Sequence, residues 1–148
     1  MNWMPSDRCD LVSTDHARRR EPMLGGMAML PAPAGTDILI ADDDELISDV
    51  MAMTLESAGY RVTCAPGGRI ALDAPVGAHL VLLDAHVPGT DFDDTRAFLL
   101  GHGVSVLVMS GEPSPPRGVA PEDFLSKPVE LDRLLAAVQR IASTLTRN

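Results

Sequence analysis

Short apolar runs that each end at a polar residue recur along this chain, with helical patterns between them. Such runs cover 38–41, 80–83 and 104–109, and further short strands are predicted over 60–64 and 124–126. The runs at 38–41 and 80–83 are apolar at every position, which is typical of strands in a parallel sheet that helices cover on both faces. The alternation of strand and helix predicts an α/β fold built on a doubly wound, five-stranded parallel sheet.

Helical periodicity fills most of the segments between these strands. Apolar residues at helical spacing predict helices over 45–58, 93–100 and 131–145, and a short one near 69–74. The segment 111–123 differs, because it contains four prolines. A proline inside a helix costs about 3 kcal/mol. We therefore expect a helix in this segment to be missing or reduced to a turn.

Composition and charge narrow the class of protein. The chain has 148 residues, enough for one domain with a hydrophobic core, and a formal net charge of −9. That charge argues against direct binding to nucleic acid or to an anionic membrane. No apolar run is long enough to cross a bilayer.

The two cysteines, Cys9 and Cys64, lack metal-ligand spacing and favour a reduced chain. These features predict a cytoplasmic location.

The N-terminal stretch 1–36 has a different character from the rest of the chain. It contains four prolines and a run of three arginines, Arg18–Arg20, without sustained periodicity. We interpret it as a disordered extension that precedes one domain over 37–148. A signal peptide is rejected, because the apolar part is short, broken by glycines and far from the first residue. A translation start within this stretch, at one of its internal methionines, remains open.

The first polar residues after the strands form a chemically coherent set: Asp42 and Asp43, Asp84, Ser110 and Lys127. Ligands of open parallel sheets bind beyond the carboxyl ends of the strands, so these side chains should converge on one edge. Clustered carboxylates repel one another unless a cation binds or a proton is shared. Carboxylate oxygens suit Mg²⁺, and a carboxylate can attack phosphorus while cations and a hydroxyl stabilise the phosphoryl oxygens.

Lys127 is the only lysine in the sequence, against 11 arginines. A composition that favours arginine so strongly has kept one lysine directly before Pro128, at the end of a predicted strand. A compact ammonium group and a planar guanidinium group are not interchangeable at a phosphoryl site. This pattern favours a functional lysine over a lysine retained by chance.

In order along the chain, these motifs resemble the receiver domain of bacterial response regulators. The segment 38–44 is similar to the first strand and acid cluster of that family, and 80–84 followed by 87–89 resembles its phosphoacceptor strand and loop. The segment 108–111 resembles the fourth strand with its switch hydroxyl. The segment 124–128 resembles the fifth strand, with an aromatic residue three positions before Lys-Pro.

The resemblance implies a flavodoxin-like fold and a role for each site residue. It implies that Asp84 accepts the phosphoryl group and that Mg²⁺ is bound by Asp84, by Asp43 directly and by Asp42 through water. It further implies that the backbone carbonyl of His86 completes the metal ligands, that Ser110 and Lys127 contact the phosphoryl oxygens, and that Phe124 swings inward as a switch.

The resemblance also implies partners and an output. The phosphoryl donor would be a sensor histidine kinase or a histidine phosphotransferase. The output would be altered contact with a downstream protein of unknown identity, and the domain itself would not be an enzyme. Because the sequence ends with the last predicted helix, we expect a stand-alone receiver.

Several alternatives remain beside this interpretation. Asp44 is more simply a helix cap, the His86 imidazole could bind metal, and Phe124 could be only a core aromatic. Phe92 stands where the family usually has glycine, and the family's fourth helix is not expected here. A phosphorylation-independent scaffold is therefore a rival function. An aspartate-nucleophile phosphohydrolase is disfavoured, because no second acid follows Asp84 by two residues.

Overall fold

The computed structural model describes residues 35–72 and 76–146. The predicted N-terminal extension over 1–36 lies outside the described residues, apart from Gly35 and Thr36. The strands are β1 (Asp37–Ala41), β2 (Arg61–Cys64), β3 (Leu80–Asp84), β4 (Ser105–Ser110) and β5 (Phe124–Ser126). The helices are α1 (Glu45–Ser57), α2 (Phe92–Gly101) and α3 (Leu131–Thr146), and short 3₁₀ turns cover Pro66–Gly68 and Pro121–Asp123.

The five strands form one parallel sheet in the order β2-β1-β3-β4-β5. The prediction of a doubly wound parallel sheet is confirmed. The strand order reverses between β1 and β3, which places a crevice beyond the carboxyl ends of these two strands. The register pairs Ala41 with Leu83 and Asp84 with Met109, so neighbouring strands end close to the same level.

Alternate side chains of the strands supply two separate cores, one on each face of the sheet. The first face packs against α1 and α3, and the second packs against α2 and the irregular segments after β2 and β4. The largest side chains fully buried on the first face are Ile38, Ile40, Met51, Leu55, Leu80, Leu82, Leu107, Met109 and Leu134. The second face is built mainly from Val81, Leu83, Leu99, Val106, Val108 and Val119.

Two helices begin with an aspartate cap that satisfies a free backbone N–H group. Asp44 Oδ1 accepts a hydrogen bond from the Ile47 amide at 3.1 Å, and Asp91 Oδ1 accepts one from the Asp94 amide at 2.9 Å. The interpretation of Asp44 as a helix cap is confirmed.

The predicted short helix near 69–74 is wrong over the residues that the structure describes there. Arg69 has extended backbone angles, and the segment 69–72 is not helical, while 73–75 lie outside the described residues. The physical reason lies just before this segment. Gly67 and Gly68 adopt positive φ angles of 63° and 78°, which turn the chain away from a helical path.

The segment after β4 has no α-helix, as the prolines predicted. Residues 111–120 are irregular, and only a 3₁₀ turn over Pro121–Asp123 precedes β5. Two arginines hold the segment in place. Arg96 Nη2 donates to the Gly118 carbonyl at 3.1 Å, and Arg140 Nη2 donates to the Glu122 carbonyl at 2.6 Å. Val119 is buried and anchors the segment on the second face of the sheet.

Cys64, the last residue of β2, is disulfide-bonded, so the expectation of reduced cysteines is wrong at this position. Among the helices described here, none has the length and apolar character needed to pass through a bilayer.

Candidate functional site

Four polar residues meet at the carboxyl edge of the sheet. Asp84 is the last residue of β3 and Ser110 the last residue of β4. Asp42 directly follows β1, and Lys127 directly follows β5. The Lys127 amide donates to the Ser110 carbonyl at 2.8 Å, which extends the pairing of β4 and β5 to the edge. The parallel register thus brings together residues that are far apart in the sequence.

Three carboxyl groups form a cluster at this edge. One carboxylate oxygen each from Asp42, Asp43 and Asp84 lies within 4.8 Å of the others. Asp42 and Asp84 are buried, whereas Asp43 is exposed. Backbone amides orient the two buried groups: Asp44 N donates to Asp42 Oδ1 at 2.8 Å, and His86 N donates to Asp84 Oδ1 at 3.1 Å. These carboxylates repel one another unless a cation neutralises them.

Lys127 supplies positive charge between the two buried carboxylates. Its Nζ lies 2.8 Å from Asp42 Oδ2 and 3.1 Å from Asp84 Oδ2. Burial lowers the pKa of Lys127, but the two aspartates outweigh burial and hold that pKa above its ordinary value. Burial raises the pKa of Asp42 above its ordinary value, although the Lys127 ammonium group opposes this. Lys127 is therefore a cation held against two carboxylates.

One buried oxygen of the cluster is left incompletely satisfied. Asp42 Oδ2 is near Lys127, but no donor in the described part of the chain meets hydrogen-bond geometry there. A buried carboxylate oxygen that pairs with Lys127 without a well-aligned hydrogen bond, and that lies beside two further carboxylates, suits a hard cation. The three aspartates therefore fit a divalent cation, with oxygen as the only ligand atom type that their side chains offer.

The two residues predicted to act as a switch lie on adjacent strands. Ser110 is buried, and its Oγ accepts a hydrogen bond from the Glu112 amide at 3.1 Å. Phe124, the first residue of β5, is half-buried and packs against the second face of the sheet. The ladder pairs it with Val108, two residues before Ser110. The His86 side chain is exposed, whereas its backbone contacts Asp84.

Two residues near the acid pair were not singled out from the sequence. Ser48 Oγ, on α1, donates to the Asp42 carbonyl at 3.2 Å. This bond ties α1 to the acid loop, the segment that carries Asp42 and Asp43. Gly68 packs directly on that loop, since a Cβ there would lie 2.7 Å from Asp43 N and 2.8 Å from Asp42 C. The Pro66-Gly67-Gly68 break was the available signal, but its contact with the site depends on the fold.

No protein-family model matches the sequence. Curated proteins do match. The chain is 34% identical over 120 residues to the uncharacterized transcriptional regulatory protein YkoG of Bacillus subtilis, covering 75% of this chain and 51% of that protein. It is 32% identical over 111 residues to the transcriptional regulatory protein FixJ of Bradyrhizobium diazoefficiens, covering 69% of this chain and 54% of that protein.

Solved structures match the same region. The receiver domain of the hybrid histidine kinase CckA is 26% identical with a TM-score of 0.58, and the match covers 72% of this chain and 98% of that domain. A Burkholderia pseudomallei response regulator, solved with a phosphorylated aspartic acid, a calcium ion and citrate, is 26% identical with a TM-score of 0.58, covering 76% of this chain and 71% of that one. The Francisella response regulator 1452 receiver domain, 21% identical with a TM-score of 0.64 over 75% of this chain and 99% of that one, supports the fold alone.

The fold, the acid cluster and these relatives together define the class. The chain contains a receiver domain of the response regulator family, a signal-transduction domain of two-component systems. The chain spans about half the length of these curated relatives.

Proposed function

We propose that this domain accepts a phosphoryl group from a phosphohistidine donor onto Asp84 and thereby switches its contacts with a downstream protein. The observation that supports this proposal is the cluster of Asp42, Asp43 and Asp84 at one sheet edge, with Lys127 bridging the two buried members. A nucleophilic carboxylate, a cation site and a fixed ammonium group are the elements that phosphoryl transfer needs.

In the proposed reaction, an Asp84 carboxylate oxygen attacks phosphorus as the bond from phosphorus to the donor imidazole nitrogen breaks. The imidazole leaves with the electron pair of that bond and takes up a proton. The His86 amide holds Asp84 Oδ1, which orients the carboxylate for attack. Lys127 Nζ, 3.1 Å from Asp84 Oδ2, is placed to exchange this contact for one with a phosphoryl oxygen.

The cation in this proposal is Mg²⁺, which would be held by Asp42, Asp43, Asp84 and the backbone carbonyl of His86. When bound, it supplies positive charge that neutralises phosphoryl oxygens. Asp42 and Asp43 thus serve as ligands, while Asp84 combines ligand and nucleophile. The exposure of Asp43 leaves the cluster open to solvent on that side.

The proposed switch consists of Ser110 and Phe124. Ser110 Oγ accepts from the Glu112 amide, and its own hydroxyl hydrogen can be donated to a phosphoryl oxygen. Movement of Ser110 toward the phosphate would vacate space beside β4, and Phe124, half-buried on the neighbouring strand, would move into it. A local change of charge would in this way bias a two-state packing element.

We further propose that the phosphoryl donor is a sensor histidine kinase or a histidine phosphotransferase, and that the domain works in the cytoplasm and is not itself an enzyme. We propose an output through protein contact, without direct contact to nucleic acid or membrane, because a net charge of −9 opposes binding to phosphates. The relatives named as transcriptional regulators are about twice as long as the region they share with this chain.

The test is intact mass spectrometry after incubation with acetyl phosphate, with and without Mg²⁺, on wild type and Asp84→Asn. We expect one phosphoryl adduct on wild type, dependent on Mg²⁺, and none on the variant. Beryllofluoride binding to wild type is the control for rapid loss of the phosphoryl group. Failure of both labelling and beryllofluoride binding by the folded protein would favour a phosphorylation-independent scaffold.

A further inference from the structure

The turn that follows β2 touches both loops that supply the acid cluster. Pro66–Gly68 form a 3₁₀ turn in which Gly68 lies against the backbone of Asp42 and Asp43. The next residue reaches in the other direction: Arg69 Nε donates to the Pro88 carbonyl at 3.3 Å, in the loop that follows Asp84. One short segment therefore contacts both the loop that carries Asp42 and Asp43 and the loop that follows Asp84.

The contact of Arg69 depends on the glycine beside its partner. Gly89 has a φ of 82°, and a Cβ there would lie 3.3 Å from Arg69 Nε and 3.4 Å from Nη2. A Cβ at this position would push the guanidinium group by a few tenths of an ångström, so the bare backbone of Gly89 leaves room for the contact that Arg69 makes. Thr90 closes the same loop by donating from its Oγ1 to the Val87 carbonyl at 2.9 Å.

We propose that Arg69 is a positioning residue that holds the loop after β3 at a fixed distance from the acid pair. The proposal rests on the proposed function, because that loop carries the His86 carbonyl, a proposed cation ligand. Asp84 anchors one end of the loop within the sheet, and Arg69 anchors the other end at Pro88. Since Gly68 is packed on Asp42 and Asp43, the turn sets the spacing between the two halves of the cation site.

In this proposal the hydrogen bond from Arg69, rather than its charge, positions the loop. Arg69 is exposed, so water and salt screen its charge. Its partner is a neutral carbonyl, to which a donor at the Nε position is required. Glutamine places an N–H donor at the same position along the side chain without a charge, whereas methionine places a methyl group there.

The experiment is calorimetric titration of the full chain with Mg²⁺, for wild type, Arg69→Gln and Arg69→Met. We expect the dissociation constant of Mg²⁺ to rise about 3- to 10-fold in Arg69→Met, which is the effect of losing one hydrogen bond, and to stay within about twofold of wild type in Arg69→Gln. Arg133→Met is the control, because Arg133 is an exposed arginine on α3 that pairs with Glu130, three residues before it.

The outcomes separate this inference from the proposed function. A wild type that neither binds Mg²⁺ nor forms a phosphoryl adduct with acetyl phosphate refutes both. A wild type that does both, with the same Mg²⁺ affinity in Arg69→Met, refutes the role of Arg69 alone. Equal weakening in the Gln and Met variants would assign the effect to charge and overturn the hydrogen-bond role. A matching loss of urea stability in Arg69→Met would make the contact merely structural.

Discussion

The two faces of the sheet differ in the helices that cover them and in the size of their cores. On the first face, α1 and α3 cover a core of 16 buried residues, among the residues that the structure describes. On the second face, α2 alone is helical, and the described core contains 9 buried residues, completed by the irregular segments after β2 and β4. Burial of apolar surface is the main stabilising term in folding, so the first face contributes more of the stability.

The difference matters for the site, because the site lies at the carboxyl edge of the sheet, which both faces share. The strand ends place Asp42, Asp84 and Lys127, and α1 of the first face is tied to Asp42 through Ser48. The second face contributes the segments that touch the site from outside, such as the turn at Pro66–Gly68 and the loop at 111–120. The second face therefore contacts the cation site through its loops rather than through a helix.

The largest expected effect compares one leucine from each face. Leu134 on α3 and Leu99 on α2 are both fully buried. We expect Leu134→Ala to lower the free energy of unfolding by about 4 kcal/mol and Leu99→Ala by about 2.5 kcal/mol, because irregular segments can relax into a cavity better than packed helices. Urea unfolding followed by circular dichroism measures both values. Equal losses would mean that the two cores are equally well packed.

The next effect concerns the contact of the second face with the acid loop. Gly68 and Gly103 both have φ near 78°, at 78° and 77°, but only Gly68 has backbone atoms within 3 Å of a Cβ position. We expect Gly68→Ala to lower the free energy of unfolding by about 3 kcal/mol, from strain and overlap together. Gly103→Ala should cost about 1 kcal/mol, from strain alone.

The Gly103 variant is the matched control for this pair, because a Cβ there would meet no atom within 4 Å. The urea midpoints of the two variants give the difference directly. If both variants lost the same free energy, the turn after β2 would be free to move away from Asp42 and Asp43. The spacing between that turn and the acid loop would then not be fixed by Gly68.

Much of this architecture could be predicted from the sequence because its signals are local. Apolar runs ending at Asp42, Asp84, Ser110 and Lys127 indicate strands and the edge at which they end. In a parallel sheet, that pattern is enough to bring the four residues together. The prolines after β4 likewise ruled out a helix without any knowledge of the fold.

What could not be predicted depends on contacts between distant segments. The prediction of a helix near 69–74 was wrong. Apolar spacing gave no sign that Gly67 and Gly68 would turn the chain toward the acid loop. The partner of Arg69 is the backbone carbonyl of Pro88, and a carbonyl has no signature in the sequence. The disulfide at Cys64 had no signal in the spacing of the cysteines.

A smaller effect tests whether the carboxylate cluster strains the edge shared by both faces. We expect Asp43→Asn to raise the free energy of unfolding by about 0.5 kcal/mol without Mg²⁺, because one repelling charge is removed. Wild type should gain about 1.4 kcal/mol when Mg²⁺ is at ten times its dissociation constant, and Asp43→Asn should lose this gain. Thermal unfolding with and without Mg²⁺ measures both.

The control for the cation effect is Asp93→Asn, in the first turn of α2 and outside the cluster. It should keep the full response to Mg²⁺. If Asp43→Asn also kept it, the exposed carboxylate would not be a ligand, and the cation would be bound by the buried pair alone.

The smallest effect concerns how the second face holds the irregular segment after β4. Arg96 Nη2 donates to the Gly118 carbonyl at 3.1 Å, and the Val119 amide donates to the Pro116 carbonyl at 3.0 Å within the same segment. We expect Arg96→Met to cost about 0.5 kcal/mol overall, and to speed hydrogen exchange at the Val119 amide while amides in α1 stay protected.

Arg117→Met is the matched control, because Arg117 is an exposed arginine of the same segment. Faster exchange at Val119 in the Arg96 variant alone would mean that α2 holds the segment in place of the missing helix. Unchanged exchange in both variants would mean that the prolines and the burial of Val119 are sufficient. In that case the stiff backbone of the proline-containing segment, rather than a contact from α2, holds the second face after β4. The two faces would then differ further, because the first face is held by packed helices.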